Sequence, residues 1–224
     1  MFKELTKFEK ILWAVSVTAV TLSFLISRGN LLSLIASLIG VTALIFVAKG
    51  FVIGQVLTVV FAVFYGIVSY HFKYYGEMIT YLCMTSPMAV AAVITWIKNP
   101  YKKSKEVRVY KMNRRQVVFM AAMCIITTIA FYYILCFLGN ASLIVSTVSV
   151  TTSFLASYLT FMRSPFYALC YAANDIVLII LWIIAAFSDF TYFAMVLCFV
   201  MFLVNDIYGF INWRKMEKRQ GLNP

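Results

Sequence analysis

Residues 31–70 read LLSLIASLIGVTALIFVAKGFVIGQVLTVVFAVFYGIVSY. Two apolar runs, 31–48 and 51–70, are separated only by Lys49 and Gly50. A helix needs about 20 mostly apolar residues to cross about 30 Å of hydrocarbon. Each run is long enough to span a bilayer, and the Lys-Gly pair makes a short turn at its surface. The runs are continuous rather than alternating, which fits helices and excludes a β-barrel.

Outward from this pair the pattern recurs. Further spans are expected at 11–27, 77–97, 117–138, 143–162, 165–187 and 190–213, eight in all. Joints rich in Gly, Asn, Ser and cations fall at 28–30, 71–76, 98–115, 139–140, 163–164 and 188–189. Composition agrees: 63% of the 224 residues are apolar and 12% charged, whereas a soluble domain is nearer half and a quarter. In water so apolar a chain would expose large sticky patches. The expected class is an all-α membrane protein. No cleavable signal peptide is expected. Lys3, Lys7 and Lys10 are mixed with Glu4 and Glu9, and the next apolar run lacks a small-residue cleavage site.

Charge tests the count. With the N-terminus in the cytoplasm and eight spans threaded, all of the 19 Lys and Arg fall inside except Arg28 and Lys73. That is the positive-inside asymmetry, and a miscounted helix would scramble it. Both termini are therefore expected in the cytoplasm, in a cell membrane. The net charge of +11 is explained by orientation and attraction to anionic lipid heads rather than by nucleic acid. The loop 99–105, which includes Lys102, Lys103 and Lys105, matches no nucleic-acid-binding fold.

The order of elements suggests a repeat. After the first helix come three helices, one helix and three helices. In each triplet a short basic turn joins the first two spans, with Lys49 in one and Arg163 in the other. Each triplet ends on a tryptophan followed by a cation, Trp96 then Lys98 and Trp213 then Arg214. The odd linker helix lets both triplets run in the same direction, a transporter plan with the solute site between repeats near mid-membrane. The expected divisions are 1–30 (N-terminal segment and extra helix), 31–98 (first triplet), 99–142 (basic loop and linker helix), 143–213 (second triplet) and 214–224 (basic tail).

Ionisable groups at membrane depth are expensive and are functional candidates. Asp175 and Asp206 are the two clear cases, each preceded by an Asn and lying on adjacent spans. Each reads equally as a solute ligand or as an interhelical clamp. Steps of three and four place Tyr167, Tyr171, Asn174, Leu178 and Trp182 on one face of the seventh span, and Asn205, Tyr208 and Asn212 on one face of the eighth. The sixth span carries Ser146, Ser149, Ser153, Ser157 and Thr160, a stripe better explained by close helix packing than by ligand contact. The third span offers Gln55, Thr58 and Tyr65. The fourth offers Tyr81, Thr85 and the backbone carbonyls that Pro87 leaves free.

Aromatic rings beside amides suit a flat, polar solute such as a nucleoside or a heterocyclic vitamin: the ring stacks while Asn, Gln and Asp hold its amide and hydroxyls. Trp13, Trp96 and Trp213 are expected in an interfacial belt. No phosphate-binding glycine loop is present. The five Cys lie in apolar spans without paired spacing, so neither disulfides nor a metal site is indicated. His71 is expected at the surface. No nucleophile, base and orienting group occur together, and neither an enzyme nor a cofactor is expected.

The last span brings a family resemblance into view. Asn205-Asp206-Ile-Tyr208-Gly209-Phe-Ile-Asn212-Trp213-Arg214-Lys215 closely resembles the end of the PnuC family of nicotinamide riboside transporters. So do Ala36-Ser37-Leu-Ile-Gly40-Val running to Ala48-Lys49-Gly50, and Tyr74-Tyr75-Gly76-Glu77. The similarity covers about residues 31 to 216. The resemblance implies a three-plus-one-plus-three fold like the SWEET sugar transporters, facilitated diffusion, trapping of the solute by a cytoplasmic kinase, and a trimeric assembly. Family members that carry nicotinamide riboside typically show Trp-x-x-Trp-x-x-x-Asn. Here Asn174 fills the last position, but Tyr167 and Cys170 stand where the tryptophans would be. A shift by one residue puts Ala168, Tyr171 and Asp175 there instead. The Asn and Gln expected on the third and fourth spans align with Phe61 and Ala89. Relatives in the group are associated with thiamine, riboflavin or deoxynucleosides, and these remain alternatives to nicotinamide riboside, as does a proton-coupled carrier. The expected solute ligands are Asn174, Asp175, Tyr171, Tyr167, Asn205, Tyr208, Trp182, Gln55, Tyr81 and Thr85.

Overall fold

The computed structural model describes residues 2–71, 74–102, 104–140 and 142–221. Lys73 and Lys103, counted in the charge argument, lie outside them. Among the described residues, eight helices are long and apolar enough to cross a membrane. They are α1 (Lys7–Ser27), α2 (Leu31–Ala48), α3 (Val52–His71), a broken span made of α4 (Tyr75–Ile79) and α5 (Ser86–Lys98), α6 (Arg114–Phe137), α7 (Leu143–Phe161), α8 (Tyr167–Ala186) and α9 (Phe193–Arg219). The last helix runs on past the expected end at 213, because Met216 and Glu217 on its final turns are buried.

Local chemistry sets the ends. Thr6 and Glu9 form a reciprocal capping box on α1, and Asn113 and Gln116 form another on α6. Asn30 caps α2 by accepting from Leu32 N at 2.8 Å. The chain turns from α2 into α3 at Gly50, whose φ of 69° is the left-handed conformation glycine adopts without a Cβ penalty. The break between α4 and α5 is a π-helical turn, Thr80–Thr85, where Ser86 N donates to Tyr81 O. Pro87 follows at once. It has no N–H to give the α-helical ladder, and its ring crowds the preceding turn, so the helix widens there.

Lipid gives helices no hydrophobic reason to associate, so close packing and interhelical hydrogen bonds hold the bundle. At Gly54 on α3 an added Cβ would lie 2.4 Å from the backbone nitrogen of Val47, so α2 and α3 touch main chain to main chain. Two indoles stitch distant helices together. Trp96 Nε1, at the end of α5, donates to the Thr160 carbonyl near the end of α7 at 3.1 Å. Trp213 Nε1, near the end of α9, donates to the Val47 carbonyl near the end of α2 at 2.9 Å. Both tryptophans are buried with rings 5.4 Å apart, which corrects the expectation that they sit in a membrane-facing belt. The carbonyls at the helix ends draw the indole N–H groups inward. Trp13 is only partly covered and donates to Thr42 Oγ1.

The peripheral α6 packs chiefly on α7 and buries only Cys124 and Leu135. Its preceding segment folds back under the bundle. Val107 N donates to Gly50 O, Val109 N to the Gln220 side chain, and Tyr110 N to Arg163 O. Lys105 pairs with Glu4 at 2.5 Å, holding that carboxyl below the usual carboxylate range, and Arg219 pairs with Glu106 at 2.5 Å. The first residues, the basic loop and the C-terminal helix end thus meet on one side of the bundle.

Candidate functional site

Between the helices lies a cavity lined by residues of α2, α3, the π turn, α8 and α9. Its volume is about 530 Å³. From α3 come Gln55, Thr58 and Phe61; from the π turn Tyr81 and Thr85; from α8 Tyr171, Asn174 and Asp175; from α9 Phe202 and Asp206. The π turn matters here. By widening the helix it sets Tyr81 and Thr85 on the cavity wall four residues apart.

Asn174 is fixed from behind. Its Oδ1 accepts from Ser149 (3.2 Å), Thr152 (2.8 Å) and Ser153 (3.1 Å), all on α7. The Tyr171 hydroxyl meets Ser157 at 3.3 Å. The serine stripe of α7 therefore packs closely and also orients α8. The front of the cavity is left unpaired. Thr85 Oγ1 and Asp175 Oδ2 are buried without a hydrogen bond. Gln55, 2% exposed, and the Tyr81 hydroxyl bond to no described residue. Asp175 and Asp206 face each other within hydrogen-bonding reach. Buried polar groups are normally paired, which makes this wall the candidate site for a polar solute.

Six of the ten expected ligands meet on this wall: Gln55, Tyr81, Thr85, Tyr171, Asn174 and Asp175. The other four are held elsewhere. Trp182 donates to the Tyr65 hydroxyl at 3.0 Å in an aromatic cluster with Tyr74, Tyr81 and Phe199. Tyr167 packs edge-on against Trp213 at 5.0 Å. Asn205 donates to Ser16 Oγ at 3.0 Å, and Tyr208 to Glu9 Oε1 at 2.6 Å. Both belong to the contact between α9 and the extra helix α1, because the face they share turns toward α1. Asn212, on that same face, donates to the Ala48 carbonyl. Asp206, absent from the expected ligands, lines the cavity. Glu77 also escaped sequence reading. Read as a helix boundary, it is wholly buried, neither oxygen hydrogen-bonded, among Tyr65, Tyr74, Tyr81 and Ser149. The signal was an acid four residues before Tyr81 on the same helical stripe.

A narrow cavity inside a membrane-spanning bundle, lined by aromatic rings and by amide, hydroxyl and carboxyl side chains, suits a solute carrier. Residues 30–215 match the model of a family described as nicotinamide mononucleotide transporter. Similar proteins include the nicotinamide riboside transporter PnuC of Neisseria mucosa, 28% identical over 98% of this chain and 85% of that protein. The nicotinamide riboside transporter PnuC of Haemophilus influenzae is 22% identical, over 95% of this chain and 92% of its own. A crystal structure of the vitamin B3 transporter PnuC superposes with a TM-score of 0.84 at 28% identity, covering 96% of this chain and 94% of that one. The chain belongs to the nicotinamide mononucleotide transporter family. It is a multi-pass membrane transporter, not an enzyme.

Proposed function

We propose that this protein carries nicotinamide riboside into the cell by facilitated diffusion through the cavity between α2, α3, α8 and α9. One observation carries the choice of solute within the family. The cavity offers amide, hydroxyl and carboxyl groups without internal partners beside the rings of Phe61, Tyr81, Tyr171 and Phe202. Rings take the base, and Gln55, Asn174 and Thr85 take the carboxamide and ribose hydroxyls. A mononucleotide fits less well. Among the described residues no Lys or Arg lines the cavity, and two aspartates would repel its phosphate.

In this reading the two triplets, α2 to α5 and α7 to α9, are parallel repeats, and the reciprocal indole bonds of Trp96 and Trp213 support it. The basic loop and both termini face the cytoplasm, where a kinase traps the solute by phosphorylation. The carrier works as a homotrimer. The deciding measurement is uptake of labelled nicotinamide riboside, thiamine, riboflavin and deoxynucleosides into proteoliposomes, with a pH gradient imposed in parallel. Saturable, non-concentrative uptake of nicotinamide riboside is expected. Preference for another member of the panel would reassign the solute, and accumulation driven by the pH gradient would replace facilitated diffusion with proton coupling.

A second reading, another flat vitamin of the same group, has its own support. The positions where riboside-carrying relatives place tryptophans are Tyr167, wedged against Trp213, and Cys170, both outside the cavity wall. The stacking surface here is therefore different, built from Tyr81, Tyr171 and two phenylalanines.

A further inference from the structure

The cavity wall carries two acidic side chains and, among the described residues, no Lys or Arg. Asp175 and Asp206 are each 3% exposed and lie on adjacent helices, about eight residues, or roughly 12 Å along a helix, in from Tyr167 and Arg214 respectively. Their carboxyls face each other. Apart from each other they meet no hydrogen-bond partner among the described residues, and Asp175 Oδ2 is buried on the cavity wall without one. The described Lys and Arg lie at helix ends and in loops. Lys49, which closes the turn beyond Val47, is already committed to Glu9 at 3.3 Å. A carboxylate out of water needs a counter-charge or hydrogen bonds; the two carboxyls can share a proton with each other, but no described Lys or Arg lines the cavity to balance the charge that is left. Tyr81, Tyr171 and Cys198 lie beside Asp175, and Tyr167 and Tyr171 beside Asp206, while Asn174 and Gln55 share the cavity wall. The tyrosine rings present electron-rich faces, which attract cations.

We propose that Asp175 and Asp206 form a charge-selecting subsite for a permanently cationic heteroaromatic ring, so that the carrier admits N-glycosyl pyridinium and related cations in preference to neutral rings of the same shape. This rests on the riboside reading above, because the N-ribosyl bond of nicotinamide riboside places a fixed positive charge on its pyridinium. The solute supplies the charge that the cavity lacks, while Tyr81 and Tyr171 flank the ring. A neutral ring would bring no counter-charge to the carboxyl pair.

The test compares nicotinamide riboside with its reduced 1,4-dihydro form, which has nearly the same shape and no charge. Uptake of both is measured into proteoliposomes at fixed pH with the membrane potential clamped at zero. The wild type is expected to prefer the cation by tenfold or more in uptake efficiency. Asp175→Asn and Asp206→Asn keep the side-chain shape, and each is expected to bring the ratio to within about threefold of one. A measurement independent of any variant is inhibition of riboside uptake in the wild type by N-methylnicotinamide cation against neutral nicotinamide, with the cation at least fivefold the stronger. Equal uptake of the two riboside forms by the wild type, or a ratio that neither Asn variant moves, overturns the charge site while leaving the carrier reading intact. Absence of saturable uptake of both forms overturns the carrier reading and the subsite with it.

Discussion

Replacing Trp213 by Phe, and separately Trp96 by Phe, is expected to destabilise the protein by nearly equal amounts. The indole of Trp213 donates to the Val47 carbonyl at 2.9 Å and that of Trp96 to the Thr160 carbonyl at 3.1 Å. Neither carbonyl is orphaned by the change. Val47 O also accepts from Gly50 N at 2.8 Å, and Thr160 O from Arg163 N at 3.0 Å. The hydrogen-bond loss is therefore close to the interhelical average of about 0.6 kcal/mol, not the larger penalty of a stranded buried group. Both side chains are 1% exposed or less. Trimming an indole to a phenyl removes about 40 Å³, which at about 24 cal/mol per Å³ of cavity adds about 1 kcal/mol. The total, about 1.5 kcal/mol, corresponds to a fall of about 3–6 °C in melting midpoint for a chain of this size. The assay is a thermal ramp of detergent-purified protein with a thiol-reactive fluorophore, which reports exposure of the buried Cys124 and Cys198 and does not depend on tryptophan emission. If one variant melts like the wild type while the other falls by more than about 8 °C, the two indoles are not equivalent ties. The argument from reciprocity then fails.

Asn174→Ala should fold, because Ser149, Thr152 and Ser153 can turn back to carbonyls of their own helix. It should raise the half-saturation concentration for riboside uptake about three- to tenfold, the worth of one hydrogen bond of about 0.5–1.5 kcal/mol, and an unchanged value would remove Asn174 from the site. Gly54→Ala should cost more than Gly66→Ala in melting midpoint. The new Cβ meets the Val47 backbone nitrogen at 2.4 Å in the first case and only the Leu82 side chain, at 2.6 Å, in the second, so the reverse order would refute the main-chain contact of α2 and α3. Cysteine introduced at Lys105 should resist an impermeant maleimide in intact cells, and one at Gly139 should react, since the two positions lie at opposite ends of α6 and its loop. Labelling of Lys105→Cys from outside would invert the proposed orientation.

The spans were legible in the sequence because hydrocarbon leaves a backbone only one way to satisfy its hydrogen bonds within a single segment. The run 31–70, the Lys49-Gly50 turn and the Arg163 turn needed no tertiary information. Asn174, Asp175 and Tyr171 were legible for a related reason: polar groups in an apolar run must face inward. Which inward surface each polar residue meets was decided only by tertiary structure. Asn205 and Tyr208 share the expected face of α9, but that face turns toward α1 and its Ser16 and Glu9. Trp96 and Trp213 could stand at a lipid interface or inside, and helix-end carbonyls of α7 and α2 brought them inside. Glu77 looked like a helix boundary until the packing of α3 and α7 around α4 buried it. Sequence determines whether a residue must avoid lipid, through the cost of transferring its own groups. The rotation and pairing of helices depend on contacts between segments distant in the chain, so only the assembled bundle determines what that residue touches.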